Sequence, residues 1–391
     1  MFVGIRQFIQ RNRRRFLFST GVIALVYFAL GYIQKKFQEY QLRLTEERFQ
    51  REQIRRRFEQ TQKDALYTIY SLCPALNGAV FDGLNVEEIT QALQQRRLEK
   101  KTTESSGVGS TTSDLSSVTN DNAENSVVLD GRKSKNELWT ELKIVSLTRL
   151  ITLVYCDALL VLFTRLQLNV LARREYLEDA LQLASKKHGI KKGIEMVDHA
   201  DYVNEQAYLS FSWWLLNRGW IQIREKVKHA VEEVFEEITP RYELDVEEFS
   251  LLLQKTQLLI EKDLPLSELV LPPRNLENFV IQQTLDEETL STLMKDPGNL
   301  RVLVDETAEY VSSSSSQIVL RSLVATAFGM ALHAVGEAGS RTGGRVKLAV
   351  VLATTSKLAH EFKQPGSEFV GAMDRVGELD ELSASVYSNF G

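Results

Sequence analysis

The feature that most limits what this chain can become lies near its start. From Phe16 to Ile33 it reads FLFSTGVIALVYFALGYI, 18 residues without a charge. As an α-helix that run would span ~27 Å, close to the hydrocarbon thickness of a thin bilayer. Phe16, Leu17, Val22, Leu25, Phe28, Leu30 and Ile33 supply its apolar surface, and Arg13 to Arg15 with Lys35 and Lys36 make polar stops at its ends. A cleavable secretory signal would have a shorter apolar core followed by small residues, whereas this run passes into the charged sequence GYIQKKFQEY. A buried core helix would normally keep a polar face, which the segment lacks. The expectation is one uncleaved transmembrane helix. Basic residues flank it on both sides, so charge counting does not orient it.

The remainder has the composition of an ordinary globular protein, with 43% hydrophobic and 25% charged residues in a chain of 391. A formal net charge of −5 provides no global basic field, so nucleic acid is not an expected partner. Charge is nevertheless uneven: Arg6 to Arg15 reads RQFIQRNRRR, five arginines without an acid. The two cysteines, Cys73 and Cys156, sit in apolar sequence without CxxC spacing, which points to small buried hydrophobes in a reducing compartment.

Helical signals dominate the rest. Gln34 to Asp64 lacks Gly and Pro, and its apolar residues Phe37, Tyr40, Leu44, Phe49, Ile54 and Phe58 hold no strict heptad, so a helix packed on its own domain is expected over a coiled coil. Arg55 to Arg57 reads as a solvated face, with contact to anionic headgroups as the alternative. Pro74 should end the next helix, and Asn85 with Glu88 should cap another presenting Ile89, Leu93 and Leu98. Between Lys101 and Lys135 the sequence collapses into Ser, Thr, Gly, Asn and Asp, too poor in apolar residues to fold, so a disordered surface insertion is expected there.

Asn136 to Leu171 is the most apolar stretch outside the anchor. Arg149, Asp157 and Arg165 divide it, and each would be costly in hydrocarbon, so the stretch reads as a central buried helix. Further helices are expected at Val203 to Leu216, with a break at Gly219, and at Val227 to Ile238, stopped by Pro240. Asp245 with Glu248 caps another, and three more fall at Asp286 to Lys295, Asn299 to Val311 and Ile318 to Val335. Breaks are expected at Ser312 to Ser316 and Gly336 to Gly344, and Val346 to Leu352 fits a short strand or a helix. The fold class is all-α: a single N-terminal transmembrane helix followed by an elongated soluble helical bundle.

Chemistry-bearing motifs do not emerge. His188, His199, His229, His333 and His360 lack metal-ligand spacing, so neither a metal nor a cofactor is expected. No nucleophile elbow, phosphate loop or kinase set occurs, and adjacent acids such as Glu232-Glu233 diverge by about 100° on a helix, too far for an acid/base dyad. No catalytic residue is assigned. A membrane-anchored enzyme would need a deep polar pocket with convergent titratable groups.

The short basic head with its apolar segment, the run LWTELKIVSLTRLITLVYCDALLVLFTRLQLNVLARREYLED from Leu138 to Asp179 and, more weakly, Glu205 to Phe235 and SASVYSNF at Ser383 to Phe390 stand out together. Collectively they resemble the peroxisomal biogenesis factor 3 family. The resemblance implies residues 1–15 as a lumenal head with Arg11, Arg13, Arg14 and Arg15 as a targeting cluster, 16–33 as the anchor, and 34–391 as a cytosolic bundle interrupted at about 101–135. It implies residence in the peroxisomal membrane, reached directly or through the endoplasmic reticulum. It also implies docking of the farnesylated receptor peroxisomal biogenesis factor 19, which carries newly made membrane proteins and binds through an amphipathic N-terminal helix. By the same resemblance the receiving groove comprises Thr90, Leu93, Lys135 and Trp139, with Leu138 and Leu142 beside them at helical spacing. Inheritance or autophagy adaptors are further implied partners, and a role as organelle tether is the alternative function.

Overall fold

The computed structural model describes residues 13–105, 133–187, 195–293, 298–340 and 344–389. The chain divides into two compact units, residues 1–60 and 61–391. The expected anchor residues lie in helix α1, Arg13–Gly83, as do Arg13, Arg14 and Arg15, whereas Arg11 falls outside the described residues. Within the first unit Phe49 is 61% exposed, and Arg55 and Arg56 pair with Glu59 and Glu52 on the helix surface. Such exposed pairs add little stability.

In the second unit α1 buries Ala65, Ile69, Cys73, Leu76 and Val80 at helical spacing. Pro74 does not end it, contrary to expectation. The proline is on the exposed face, where water can satisfy the carbonyl its ring leaves unbonded, and packing on the opposite face holds the helix together. Helix α2, Val86–Ser105, starts at Asn85, whose side chain accepts from the Glu88 amide at 3.4 Å. It extends five residues into the expected insertion, since its end is still Lys- and Glu-rich; residues 106–132 lie outside the described residues.

Helix α3, Lys135–Lys187, is the axis of the bundle. Its start is fixed by a capping box that the sequence reading did not single out. Ser134 Oγ accepts from the Glu137 amide at 3.2 Å, and the Glu137 carboxylate accepts from the Ser134 amide at 2.7 Å. Its apolar window has a mean hydropathy of 1.9, enough for a membrane span, yet 89% of that window is buried inside the protein. The charges explain why it belongs there. Arg149, fully buried, donates to both oxygens of Glu87 at 2.8 Å and to Ser356, and its guanidinium lies 4.5 Å from the Phe81 ring centroid. Arg165 reaches Asp374 at 2.7 Å and also Gln62, while Arg173 meets Glu306 and Tyr310. Asp157 accepts from Asn77 at 3.3 Å.

Around α3 the chain adds α4, Glu195–Ser210, then a turn at Ser212–Trp214, a π-helical turn at Leu215–Gly219, and α5, Trp220–Phe235. The break expected at Gly219 is thus a π bulge. A Cβ on Gly219 would stand 1.9 Å from the Leu269 carbonyl oxygen, so only glycine permits this backbone approach. Strand β1, Glu243–Leu244, precedes α6, Val246–Glu261, whose N-cap Asp245 accepts from the Glu248 amide at 2.7 Å. There follow α7, Leu266–Val270, α8, Glu277–Thr284, α9, Glu287–Leu293, and α10, Gly298–Ser312.

Helix α11, Ser314–Ser340, starts inside the break expected at Ser312 to Ser316, where Ser313 separates it from α10, and runs five residues into the break expected at Gly336 to Gly344. Ser313 caps it by accepting from the Ser316 amide at 3.2 Å, and Gly336 and Gly339 are held in its last turns, where Gly339 packs closely on Val346. Strand β2, Val346–Lys347, pairs antiparallel with β1, matching Glu243 to Lys347 and Leu244 to Val346. The sequence from Val346 is therefore two residues of strand followed by α12, Leu348–Glu361. Helices α13, Glu368–Asp374, and α14, Gly377–Tyr387, close the bundle, and the final turns bury Val386 and Tyr387. Helices α2, α5, α11, α12 and α14 all pack on α3, and among the described residues the architecture is all-α apart from this two-residue strand pair.

Candidate functional site

The first turns of α3 project a partly covered surface. Residues 143, 146, 147 and 150 are buried and mark the core-facing direction of the helix, and Trp139 points the same way one turn nearer its start. Trp139 is nevertheless only half-buried. The reason is the length of α5. Lys143 Nζ donates to the carbonyls of Phe235 at 2.5 Å and Ile238 at 2.9 Å, so the regular helix α5 stops at the level of Lys143, one turn short of Trp139. Burial pushes the Lys143 ammonium down from its ordinary pKa, against the opposing pull of Glu236, while the carbonyls at this helix end receive its charge.

Helix α2 forms the other side. Two ties set its direction against α3: Glu87 to Arg149 at one end, and Arg96 to the Lys133 carbonyl at 2.7 Å at the other. The helices are therefore antiparallel, and the order of the ties brings Thr90 and Leu93 alongside the first turns of α3. Thr90 and Leu93 are half-buried, with the Thr90 hydroxyl turned back onto the Val86 carbonyl. Lys135 is exposed at the first residue of α3, and Leu138 and Leu142 are 7% and 8% exposed, packed beneath the surface. Leu98 is exposed at 63%, beyond the half-buried face that holds Leu93.

At the far end of α2, burial alone would raise the Glu87 carboxyl pKa. The hydrogen bond from Arg149, a bond to its own backbone amide, and the charges of Arg149 and His360 bring it below the usual carboxylate range instead. This ionised anchor fixes the helix that carries Thr90 and Leu93.

Sequence reasoning missed the α5 wall. A hollow of about 510 Å³ opens beside Trp139's neighbour Thr140, lined also by Lys143, Ile144, His229, Glu232, Glu233 and Glu236. The acids on α5 looked like an ordinary solvated face, and only the packing shows which groove they edge. Among the described residues no three His, Cys, Asp or Glu side chains converge as metal ligands. The buried cysteines have raised pKa values, first through burial and then through Asp157, which suppresses thiolate formation.

Half-buried Trp139, Thr90 and Leu93 thus make a partly covered shelf where α2 meets the first turns of α3. Among known proteins, the Peroxin-3 family model matches residues 7–389. The chain is 35% identical to the peroxisomal membrane protein PEX3 of Komagataella pastoris over 446 aligned positions, covering 98% of each protein. It is 33% identical to peroxisomal biogenesis factor 3 of Saccharomyces cerevisiae, covering 99% of this chain and 96% of that one. Similarity extends to the mouse factor at 26% identity, over 65% of this chain and 57% of the mouse protein. The chain belongs to the Peroxin-3 family. Its role is in peroxisome membrane biogenesis, and it is not an enzyme.

Proposed function

We propose that this protein is the docking receptor, at the peroxisomal membrane, for peroxisomal biogenesis factor 19 loaded with newly made membrane proteins. The supporting observation is Trp139, a large aromatic in the core-facing direction of α3 that its own chain leaves half covered. Large aromatics in such pockets are typical anchors for a partner helix. The receptor's amphipathic N-terminal helix would lie across Trp139, Leu93 and Thr90, over a floor made by Leu138 and Leu142, with Lys135 at the rim. Residues 16–33 would anchor the chain as a single span, with residues 1–15 lumenal and the bundle cytosolic.

The test uses the full chain in lipid nanodiscs and a fluorescent peptide of the receptor's N-terminal helix. Binding should weaken by about tenfold or more in Trp139→Ala, the loss expected for a central aromatic anchor. Unchanged affinity in a folded Trp139→Ala protein would remove the groove from this surface.

A further inference from the structure

Helices α3 and α5 leave a seam that the docking surface around Trp139 does not use. They run antiparallel: Lys143 caps the end of α5, whereas the start of α5, at Arg224, shares a second hollow of about 180 Å³ with Gly83, Leu84 and Thr148. The two hollows share Ile144, so together they form one trough along α3 from Thr140 to Thr148, a rise of ~12 Å or about two helical turns. Its floor is apolar, with Ile144 and Val145 half-buried and Leu84 buried.

The α5 wall is acidic. The larger hollow is lined by Glu232, Glu233 and Glu236 against the single lysine Lys143, a formal charge of −3 + 1 = −2 with His229 neutral, and Glu225, Arg224 and Lys228 of the smaller hollow bring the whole trough to −4 + 3 = −1. Lys143 is buried, and its ammonium is committed to backbone carbonyls. In the smaller hollow Arg224 is paired with Glu225 at 2.5 Å and lies over the Trp220 ring, and Lys228 sits 3.9 Å from Glu232. The trough's own cations are thus occupied. Among the described residues Glu233 and Glu236 have no ion-pair partner, although Glu236 is within electrostatic reach of Lys143.

We infer that this trough is a second docking groove, and that its occupant is a cationic amphipathic helix of a partner protein. Charge complementarity selects that occupant, because an acidic helix or an anionic lipid surface would be repelled by the same glutamates. Glu232 and Glu236 are one helical turn apart on one face, so lysines or arginines spaced i, i+4 on an antiparallel helix would meet both. Leucine-sized side chains between them would cover Ile144 and Val145. The surface around Trp139 and this trough would then take helices of opposite charge on neighbouring sides of α3.

The experiment uses the full chain in nanodiscs of zwitterionic lipid, with two fluorescent synthetic helices as probes. One carries a leucine seam flanked by lysines at i, i+4, and the other has glutamate at every lysine position. The lysine helix should bind about tenfold or more tightly than its glutamate counterpart, and its affinity should fall as salt rises from about 50 to about 300 mM. Glu232→Lys with Glu236→Lys should reverse the preference, whereas Glu287→Lys with Glu288→Lys on exposed α9, or Trp139→Ala, should leave it unchanged. Circular dichroism confirms that each variant is folded. Equal binding of the two probes, an unaltered preference in the Glu232/Glu236 variant, or loss of lysine-helix binding in Trp139→Ala would each overturn the assignment. The last outcome would place that helix on the Trp139 surface instead.

Discussion

The middle and the beginning of α3 belong to one continuous helix but have opposite surroundings. From Leu147 to Val170 nearly every side chain is buried, including Arg149, Asp157 and Arg165, and each of these ionisable groups has a polar partner from a distant part of the chain. From Lys135 to Ile144 the burial is incomplete: Trp139 and Ile144 are half covered, and Lys135 and Thr140 are exposed. The difference follows from which neighbours extend far enough. Where α2, α5, α11, α12 and α14 pack on α3, even arginine can be enclosed; where α5 stops at Phe235, a tryptophan is left half covered. A closed middle positions the open end, because Arg149 and Glu87 fix α2 against α3.

The largest effect should come from opening the closed middle. Arg165→Ala removes the partner of half-buried Asp374 from a site where the arginine is only 3% exposed, and should cost about 3 to 5 kcal/mol of unfolding free energy. A loss within experimental error in urea melts would show that the middle tolerates an unpaired charge. Leu142→Ala, at the boundary between the two regions, should cost about 2 to 4 kcal/mol as a core truncation. An unchanged urea midpoint would instead make Leu142 part of the open surface.

A third effect is confined to pH. Burial pushes the Asp157 carboxyl up to about 8, opposed by the hydrogen bond from Asn77. Its folded pKa lies above the unfolded value near 4, so the folded state holds the extra proton. This contribution to stability is full below about pH 4, declines by up to ~1.4 kcal/mol per pH unit, and is lost as pH rises through about 8. Asp157→Asn should flatten stability against pH across that window; denaturation at pH 5, 6, 7 and 8 reads the slope, and an unaltered slope would mean that Asp157 is ionised in the fold. The smallest effect belongs to the open end. Lys135→Ala should change stability by no more than about 0.5 kcal/mol, as at other solvent-exposed sites, and a larger loss in thermal melts would mean that the first turn of α3 is more tightly held than its exposure indicates.

Much of the fold could be read from local patterns. Asn85 and Asp245 are N-caps as their spacing indicated, since a cap depends on residues within one turn. The all-α class follows from the helical spacing of apolar residues, and the charges inside Asn136 to Leu171 marked a buried helix because hydrocarbon would not accept them. Pro74 and Gly336 were misleading for the same reason that the caps were informative. Their propensities are local, whereas the faces of α1 and α11 that hold those helices together pack on distant segments. At the candidate site, sequence resemblance pointed to Trp139 and Leu93 but could not separate exposed Lys135 from buried Leu138 and Leu142, nor reveal the glutamates of α5.

By itself the sequence determined an apolar run long enough to cross a bilayer, a helical body and the Peroxin-3 resemblance, because each is written in composition, period or residue identity over neighbouring positions. Only the tertiary structure decided which partners enclose Arg149, Asp157 and Arg165, why Gly219 must be glycine, and that α5 ends one turn short of Trp139. Those outcomes depend on how far separate helices extend along one another, a property of packing that no single segment encodes.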